Sequence, residues 1–302
     1  MPAYFDAHCD TLTRWHPLRS CGEMQLDWER LSAYAPAHQV MAIFAPPGED
    51  TPETFRRTLA VLERELGENA DLAVLCRSVA ELDAAGREGK IGVVLSVEGA
   101  TLLSCSEEGL LDAYRCGVRL VTLVWNKDNI LCGSCNDSGS GLTAEGERFV
   151  NVCFDLGVAV DLSHASEATF WDVMNIARRP VICSHSNAKA LCDHPRNLTD
   201  AQISRIVCNG GCIGLNLYSE FLGDNATLDT VLRHADHILS LGAAANLCLG
   251  TDFDGIDSTP EGIEGVQDMA RLYEALLQTG LSEQQVQDIF YGNLRRFFEV
   301  TL

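Results

Sequence analysis

The sequence predicts a (β/α)8 barrel, an α/β fold in which eight parallel strands close on themselves inside a ring of helices, and three observations support it. Short apolar runs rich in β-branched residues recur eight times along the 302 residues. Segments with helical periodicity and helix-start signals lie between them. Residues able to bind metal or move protons follow five of the runs, and on this fold the C-terminal strand ends form the mouth where active sites lie.

The first run, 4–7, exits into His8 and Asp10. Side chains two apart on extended backbone point the same way, so that pair is expected to share a face. The remaining runs are 39–44 (QVMAIF), 91–97 (IGVVLSV), 118–124, 157–162 (GVAVDL), 181–184 (VICS), 212–217 (CIGLNL) and 246–250 (NLCLG). A ninth run, 72–75, lies between two helical segments and reads as an extra strand outside the set. Ser78 with Glu81 forms a capping-box signature before a helix at 79–88, Ser166 precedes one at 167–178, and Thr199 and Asp200 open 201–209. Segment 262–300 reads as helices closing the structure, and with no Pro/Ser-rich linker the chain is expected to form one domain over 1–302. A doubly wound open sheet is the competitor, but no G-x-G-x-x-G follows the first run and no G-x-x-x-x-G-K-[ST] occurs, which removes the usual signs of nucleotide binding.

Composition narrows the function classes. With 43 acidic against 22 basic residues the net charge is −21, a field that repels nucleic acid and anionic membrane surfaces. No stretch reaches the roughly 18 consecutive apolar residues of a membrane span, and no basic-then-apolar signal opens the chain, so a cytoplasmic location is expected. The thirteen cysteines are spread through apolar segments (Cys76, Cys153, Cys183, Cys248) and read as reduced, buried thiols. Cys132 and Cys135 have CxxC spacing but sit in a Gly/Ser/Asn loop without a second pair, weak grounds for a zinc or redox site.

His8 and Asp10 follow run one, Glu98 ends VVLSVE, His164 ends VAVDLSH, His185 ends VICSH and Asp252 ends NLCLGTD. Any one of these has a plainer reading as a helix cap or satisfied polar residue, and Ser163, Ser166, Ser184 and Ser186 could cap helices beside the histidines. Six such groups converging on one mouth are costly unless paired or bound to a cation. Histidine nitrogen mixed with carboxylate oxygen, without thiolate, suits zinc or a related divalent metal. Five ligands exceed the three that one catalytic zinc takes, whereas two metals roughly 3.5–4 Å apart would use all five, with Glu98 as the natural bridge.

These motifs together, His8-Cys9-Asp10, Val97-Glu98-Gly99, Asp161-Leu162-Ser163-His164, Ser184-His185-Ser186, Arg196-Asn197 and Gly250-Thr251-Asp252-Phe253-Asp254-Gly255, resemble the membrane (renal) dipeptidases, peptidase family M19 of the amidohydrolase superfamily. The similarity runs from about residue 4 to 300 and includes the C-terminal YGNLRRFFEV. It implies a binuclear barrel hydrolase carrying two zinc ions that cleaves dipeptides, some with a D-residue at the C-terminal position. His8, Asp10 and Glu98 would hold one metal, and Glu98, His164 and His185 the other. Water between the two would lose a proton to become the nucleophile. Asp252 would shuttle the proton and Arg196 would meet the substrate carboxylate, its alternative being a salt bridge to Asp193 or Asp200. The family also implies a homodimer.

The chain departs from the animal relatives after the fourth strand, where Trp125 stands in place of a histidine. Trp125 then walls the pocket, or Asn126 supplies the missing polar contact; Tyr218, after the seventh strand, is a further pocket candidate. Two other readings stay open: hydrolysis of a different small carboxylated amide or lactone, and a non-catalytic barrel that keeps metal and binds peptides.

Overall fold

The structure, a computed structural model, describes residues 1–302. Nine parallel strands form one sheet: β1 (Tyr4–Asp6), β2 (Ala37–Phe44), β3 (Ala73–Leu75), β4 (Ile91–Glu98), β5 (Val118–Thr122), β6 (Ala159–Asp161), β7 (Ile182–Cys183), β8 (Cys212–Leu215) and β9 (Leu247–Leu249). The order β2-β1-β9-β8-β7-β6-β5-β4 closes through a β2–β4 pairing from His38↔Gly92 to Phe44↔Glu98, giving the eight-stranded barrel. The ninth strand is the 72–75 run. It pairs with Ile91, Gly92 and Val93 of β4, and β5 takes over that edge of β4 from Leu95 onward, with a register shift between Leu95 and Ser96. Two short strands thus share one side of a long one, which keeps β3 outside the closed ring.

One residue from each barrel strand (Phe5, Val40, Val94, Leu120, Ala159, Ile182, Cys212 and Cys248) joins an inner cluster with Leu294, Phe297 and Phe298 of the C-terminal helix. That helix, Asn293–Thr301, plugs the end opposite the site. Alternate strand residues such as Met41, Val93, Leu95, Val121, Val160 and Ile213 belong to the larger cluster of 68 residues beneath the surrounding helices. This two-sided burial is the period-two alternation of strands with both faces covered.

Helix starts follow their caps. Ser78 accepts from Glu81 N–H ahead of Val79–Arg87, Ser166 from Thr169 N–H ahead of Glu167–Ile176, and Thr199 with Gln202 completes a capping box at Asp200–Asn209. At the first of these the Glu81 carboxylate turns to Arg77 N–H instead of Ser78 N–H, so the box is incomplete. The 262–300 expectation is corrected at its start: 262–268 is loop with one 3-10 turn, because Gly262 and Gly265 sit in non-helical backbone. Helices occupy Met269–Gln278, Glu283–Gln287 and Asn293–Thr301, the last two joined through a π turn at Asp288–Gly292.

Candidate metal centre

The strand ends deliver the ligand-type residues by local backbone bends. β1 stops at Asp6, and Asp10 has φ −103° and ψ 15°, so His8 and Asp10 are not neighbours on a strand as expected. The bend still brings His8 Nε2 to 3.5 Å from Asp10 Oδ2. Glu98 is the last residue of β4, held between Phe44 of β2 and Thr122 of β5. His164 and Asp252 adopt left-handed φ of 67° and 63°, a conformation uncommon for residues with a Cβ and concentrated at functional sites.

Glu98 is the centre of the arrangement. Its Oε2 lies 3.6 Å from His8 Nε2, while its Oε1 lies 2.9 Å from His164 Nε2 and 3.4 Å from His185 Nε2. The two latter ring nitrogens are 3.1 Å apart. Proton positions follow from their outer partners. His164 Nδ1 faces Asn126 Oδ1 at 3.0 Å, an oxygen that also accepts from Asn136, so Nδ1 is the donor. His185 Nδ1 faces Ser184 Oγ at 2.8 Å, and that hydroxyl's hydrogen is directed to Asp161 Oδ2 at 2.6 Å, so Nδ1 again donates. Both Nε2 atoms therefore carry lone pairs, aimed at each other and at a carboxylate oxygen.

Three buried lone-pair donors, Glu98 Oε1 and the Nε2 atoms of His164 and His185, meeting without a proton between them fit a divalent cation. Two further groupings, His8 with Glu98 and His185 and His8 with Asp10 and Asp252, also bring ligand atoms within 4.8 Å of one another. His8 Nδ1, His8 Nε2 and Asp10 Oδ1 are buried with no hydrogen-bond partner. Burial pulls His8 down, but Glu98 and Asp10 outweigh it and hold the ring well above its usual pKa. Burial would raise Glu98, yet the charge of the facing His8 ring keeps it well below the carboxylate range. Burial, then the Glu98 charge, lifts Asp10 to about 6. Burial lifts Asp252 to about 7, with His8 opposing and Asp10 and Glu98 adding. Burial, then Arg196, lowers His164 to about 4, the neutral form a metal requires.

The centre opens into a cavity of about 670 Å³ lined by Asp10, Glu98, Trp125, Asn126, His164, Arg196, Tyr218 and Asp252 among others, a size suited to a small ligand. Arg196 is 4% exposed, its guanidinium lies 5.4 Å from the Phe221 ring, and Nη2 donates to His185 O. No carboxylate pairs with it. Asp193 pairs instead with Lys189 and Asp200 with His237, so the salt-bridge alternative for Arg196 is not formed. The unpartnered Nε of this buried cation is a standing demand for an anion. Trp125 packs 4.7 Å from the Phe44 ring and walls the cavity beside His164. Asn126 lines the cavity with its oxygen committed to His164, and Tyr218 stands edge-on to Phe221 at 4.8 Å. All thirteen cysteines are free thiols, and neither metal-competent group includes Cys132 or Cys135.

The sequence matches the family model described as membrane dipeptidase (peptidase family M19) over residues 2–301. The chain belongs to the membrane dipeptidase family. It is 31% identical over 263 residues to an uncharacterized protein of Klebsiella pneumoniae, covering 83% of this chain and 96% of that one. It is 35% identical over 218 residues to an uncharacterized dipeptidase of Schizosaccharomyces pombe, covering 70% of this chain but 53% of that one, about half the yeast protein's length. A metallopeptidase from Rhodobacter sphaeroides, solved with a phosphinate mimic of the dipeptide L-Ala-D-Ala, superposes with a TM-score of 0.90 at 27% identity over 100% of this chain and 99% of that one. As a member of the M19 family the chain is a hydrolase of the metallodipeptidase kind.

Within this family member several residues serve the site in roles that the sequence did not assign to them. Asn216 Nδ2 donates to Asp252 Oδ2 at 2.9 Å and fixes that carboxylate. A Cβ on Gly255 would overlap Asp10 Oδ2 and Asp252 Oδ1, so the absent side chain makes room for both acids. Asp6 accepts from His8 N–H and from Thr251 N–H and Oγ1, tying β1's exit to β9's. Asp161 does the same between Ser163 and Ser184. The last two had a signal: each is an acid closing an apolar run just before a ligand-type histidine. Ser163 and Ser184 serve this network and cap no helix, whereas Ser166 does cap one.

Proposed function

We propose that this protein is a dipeptidase that holds two zinc ions, one between His8, Asp10 and Glu98 and one between Glu98, His164 and His185, and that it accepts a D-residue at the C-terminal position of its substrate. The observation that carries the reading is Glu98, whose two oxygens face different histidines and so can serve two cations at once. The bound dipeptide mimic of the Rhodobacter neighbour supports the substrate class. Divalent ions held in this way supply acidified water and polarise a scissile carbonyl.

The chain's own residues carry the remaining work. Asp252, with Oδ2 held by Asn216 and Oδ1 3.8 Å from His8 Nε2, takes the proton of the attacking water as the O–C bond forms. It returns that proton to the leaving amine as the C–N bond breaks. Arg196 presents a planar fork to the substrate carboxylate, and its burial strengthens that pairing. Trp125 and Tyr218 wall the substrate, and Asn126 holds the His164 ring in place. The test is steady-state hydrolysis of an L,L and L,D dipeptide panel by zinc-loaded protein, with Glu98→Gln as control. Turnover that the variant loses supports the reading. Silence across the panel from protein holding two metals overturns it in favour of another carboxylated amide or lactone.

A further inference from the structure

We propose that Asp161 is a positioning residue which, acting through Ser184, fixes the proton of His185 on Nδ1 and so keeps Nε2 free for metal. The inference rests on the reading that Glu98, His164 and His185 hold a metal, and it concerns a residue that neither binds the ion nor lines the cavity.

Asp161 is fully buried at the end of β6, and its oxygens are completely used. Oδ1 accepts from Ser163 N–H and Ser184 N–H, both at 3.0 Å. Oδ2 accepts from Thr122 Oγ1 at 2.8 Å and Ser184 Oγ at 2.6 Å. With both oxygens accepting, the group acts as an ionised acceptor and directs the only hydrogen of Ser184 toward itself. Ser184 Oγ then has only lone pairs for His185 Nδ1 at 2.8 Å, which must donate. The backbone of Ser184 is packed closely against the ends of β8 and β9, its carbonyl oxygen lying where any Cβ on Gly214 or Gly250 would overlap it. Carboxylate, hydroxyl and imidazole thus form a chain that sets one tautomer, the role outer partners of metal-bound histidines commonly play.

An asparagine at this position has nearly the same shape but reverses the chain. Its single oxygen goes to the two backbone N–H groups, its amide N–H points at Ser184 Oγ, and the serine hydrogen is driven toward His185 Nδ1. The ring proton then moves to Nε2, where the metal would sit. The experiment measures the His185 ring tautomer by nitrogen-15 NMR in metal-free protein, and zinc affinity by chelator competition, in parent, Asp161→Asn, Ser184→Ala, Ser184→Thr and Thr122→Val. We expect Asp161→Asn to switch His185 to the Nε2–H tautomer and to weaken zinc about 10- to 100-fold. Ser184→Ala should weaken zinc comparably, and Ser184→Thr, which keeps the hydroxyl, should restore most of it. Thr122→Val removes a hydroxyl from the same oxygen outside the relay, so it should lower Tm and leave zinc affinity unchanged. Parent-like tautomer and affinity in Asp161→Asn, or in Ser184→Ala if the former does not fold, overturns the proposal. So does a Thr122→Val variant that loses zinc as badly as Asp161→Asn. Dipeptide turnover is not a readout, so failure of the dipeptidase reading and failure of this relay remain distinguishable.

Discussion

The Nε2 atoms of His164 and His185 lie 3.1 Å apart, each with its proton on the far nitrogen and each within 3.4 Å of Glu98 Oε1. Lone pairs in that arrangement repel, and the barrel scaffold holds them together against the repulsion. A cation between them reverses the sign of the interaction, so metal and fold are expected to be strongly linked. Chelator-stripped protein should melt lower than zinc-loaded protein, with zinc at 1,000 times its dissociation constant adding about 4 kcal/mol. Glu98→Gln, which removes the shared charge, should lose most of that zinc-dependent increment in Tm. Thermal melts of both proteins with and without zinc check this.

Gly255 offers a sharper steric test. A methyl group there overlaps the terminal oxygens of Asp10 and Asp252, the ends of side chains that can swing away. Gly255→Ala should therefore fold with a Tm close to that of the parent while both carboxylates leave their positions. Zinc bound by His8 and Asp10 should weaken, and dipeptide turnover should drop by up to about 100-fold, the scale of a roughly 1 Å misplacement of catalytic groups. Metal titration beside a melt separates the two effects.

Most of the barrel was legible because its signals are local. Each strand announces itself by an apolar run, each ligand by its place after a run, and helix starts such as those at Val79, Glu167 and Asp200 by a serine or threonine that caps them in the structure. What escaped depends on contacts distant in sequence. Gly255 matters only because Asp10, far away in the chain, lies against it, and Asn216 matters only because β8 and β9 end side by side. β3 stays outside the ring because β5 takes the same edge of β4 further along, and Asp6 at the exit of β1 accepts from Thr251, far away in the chain. Periodicity encodes which face a residue takes, not which partner it meets there.

Asn216 separates orientation from binding. Its amide donates to Asp252 Oδ2, and the residue does not line the cavity. Asn216→Ala should leave KM for a dipeptide near the parent value and lower kcat by about 10- to 100-fold, part of the roughly 10²- to 10⁴-fold that a positioned acid-base group supplies. Arg196→Ala should do the opposite, raising KM steeply as the carboxylate loses its fork. Steady-state kinetics on one good substrate distinguish the two patterns, and equal losses in KM for both variants would show that Asn216 shapes the pocket.

His38, at the far end of the barrel, predicts how stability depends on pH. It is fully buried, its Nδ1 accepts from Gly92 N–H at 3.2 Å, and its Nε2 lies 3.2 Å from Tyr291 Oη, so the folded chain holds it neutral. Burial lowers its pKa from 6.5 to about 4. Above pH 6.5 the ring is neutral in both states and has no effect on the balance. Between pH 6.5 and about 4 the unfolded chain binds a proton that the folded chain refuses, so stability falls with falling pH, by up to about 3 kcal/mol in total. Below that window the folded ring protonates too and the loss levels off. His38→Asn, whose Oδ1 can replace Nδ1 as acceptor for Gly92, should be less stable at pH 7 through its lost contacts and yet show a shallower decline toward pH 4. Denaturant unfolding at a series of pH values reads the slope directly, and parallel curves for the two proteins would assign the acid sensitivity to other groups.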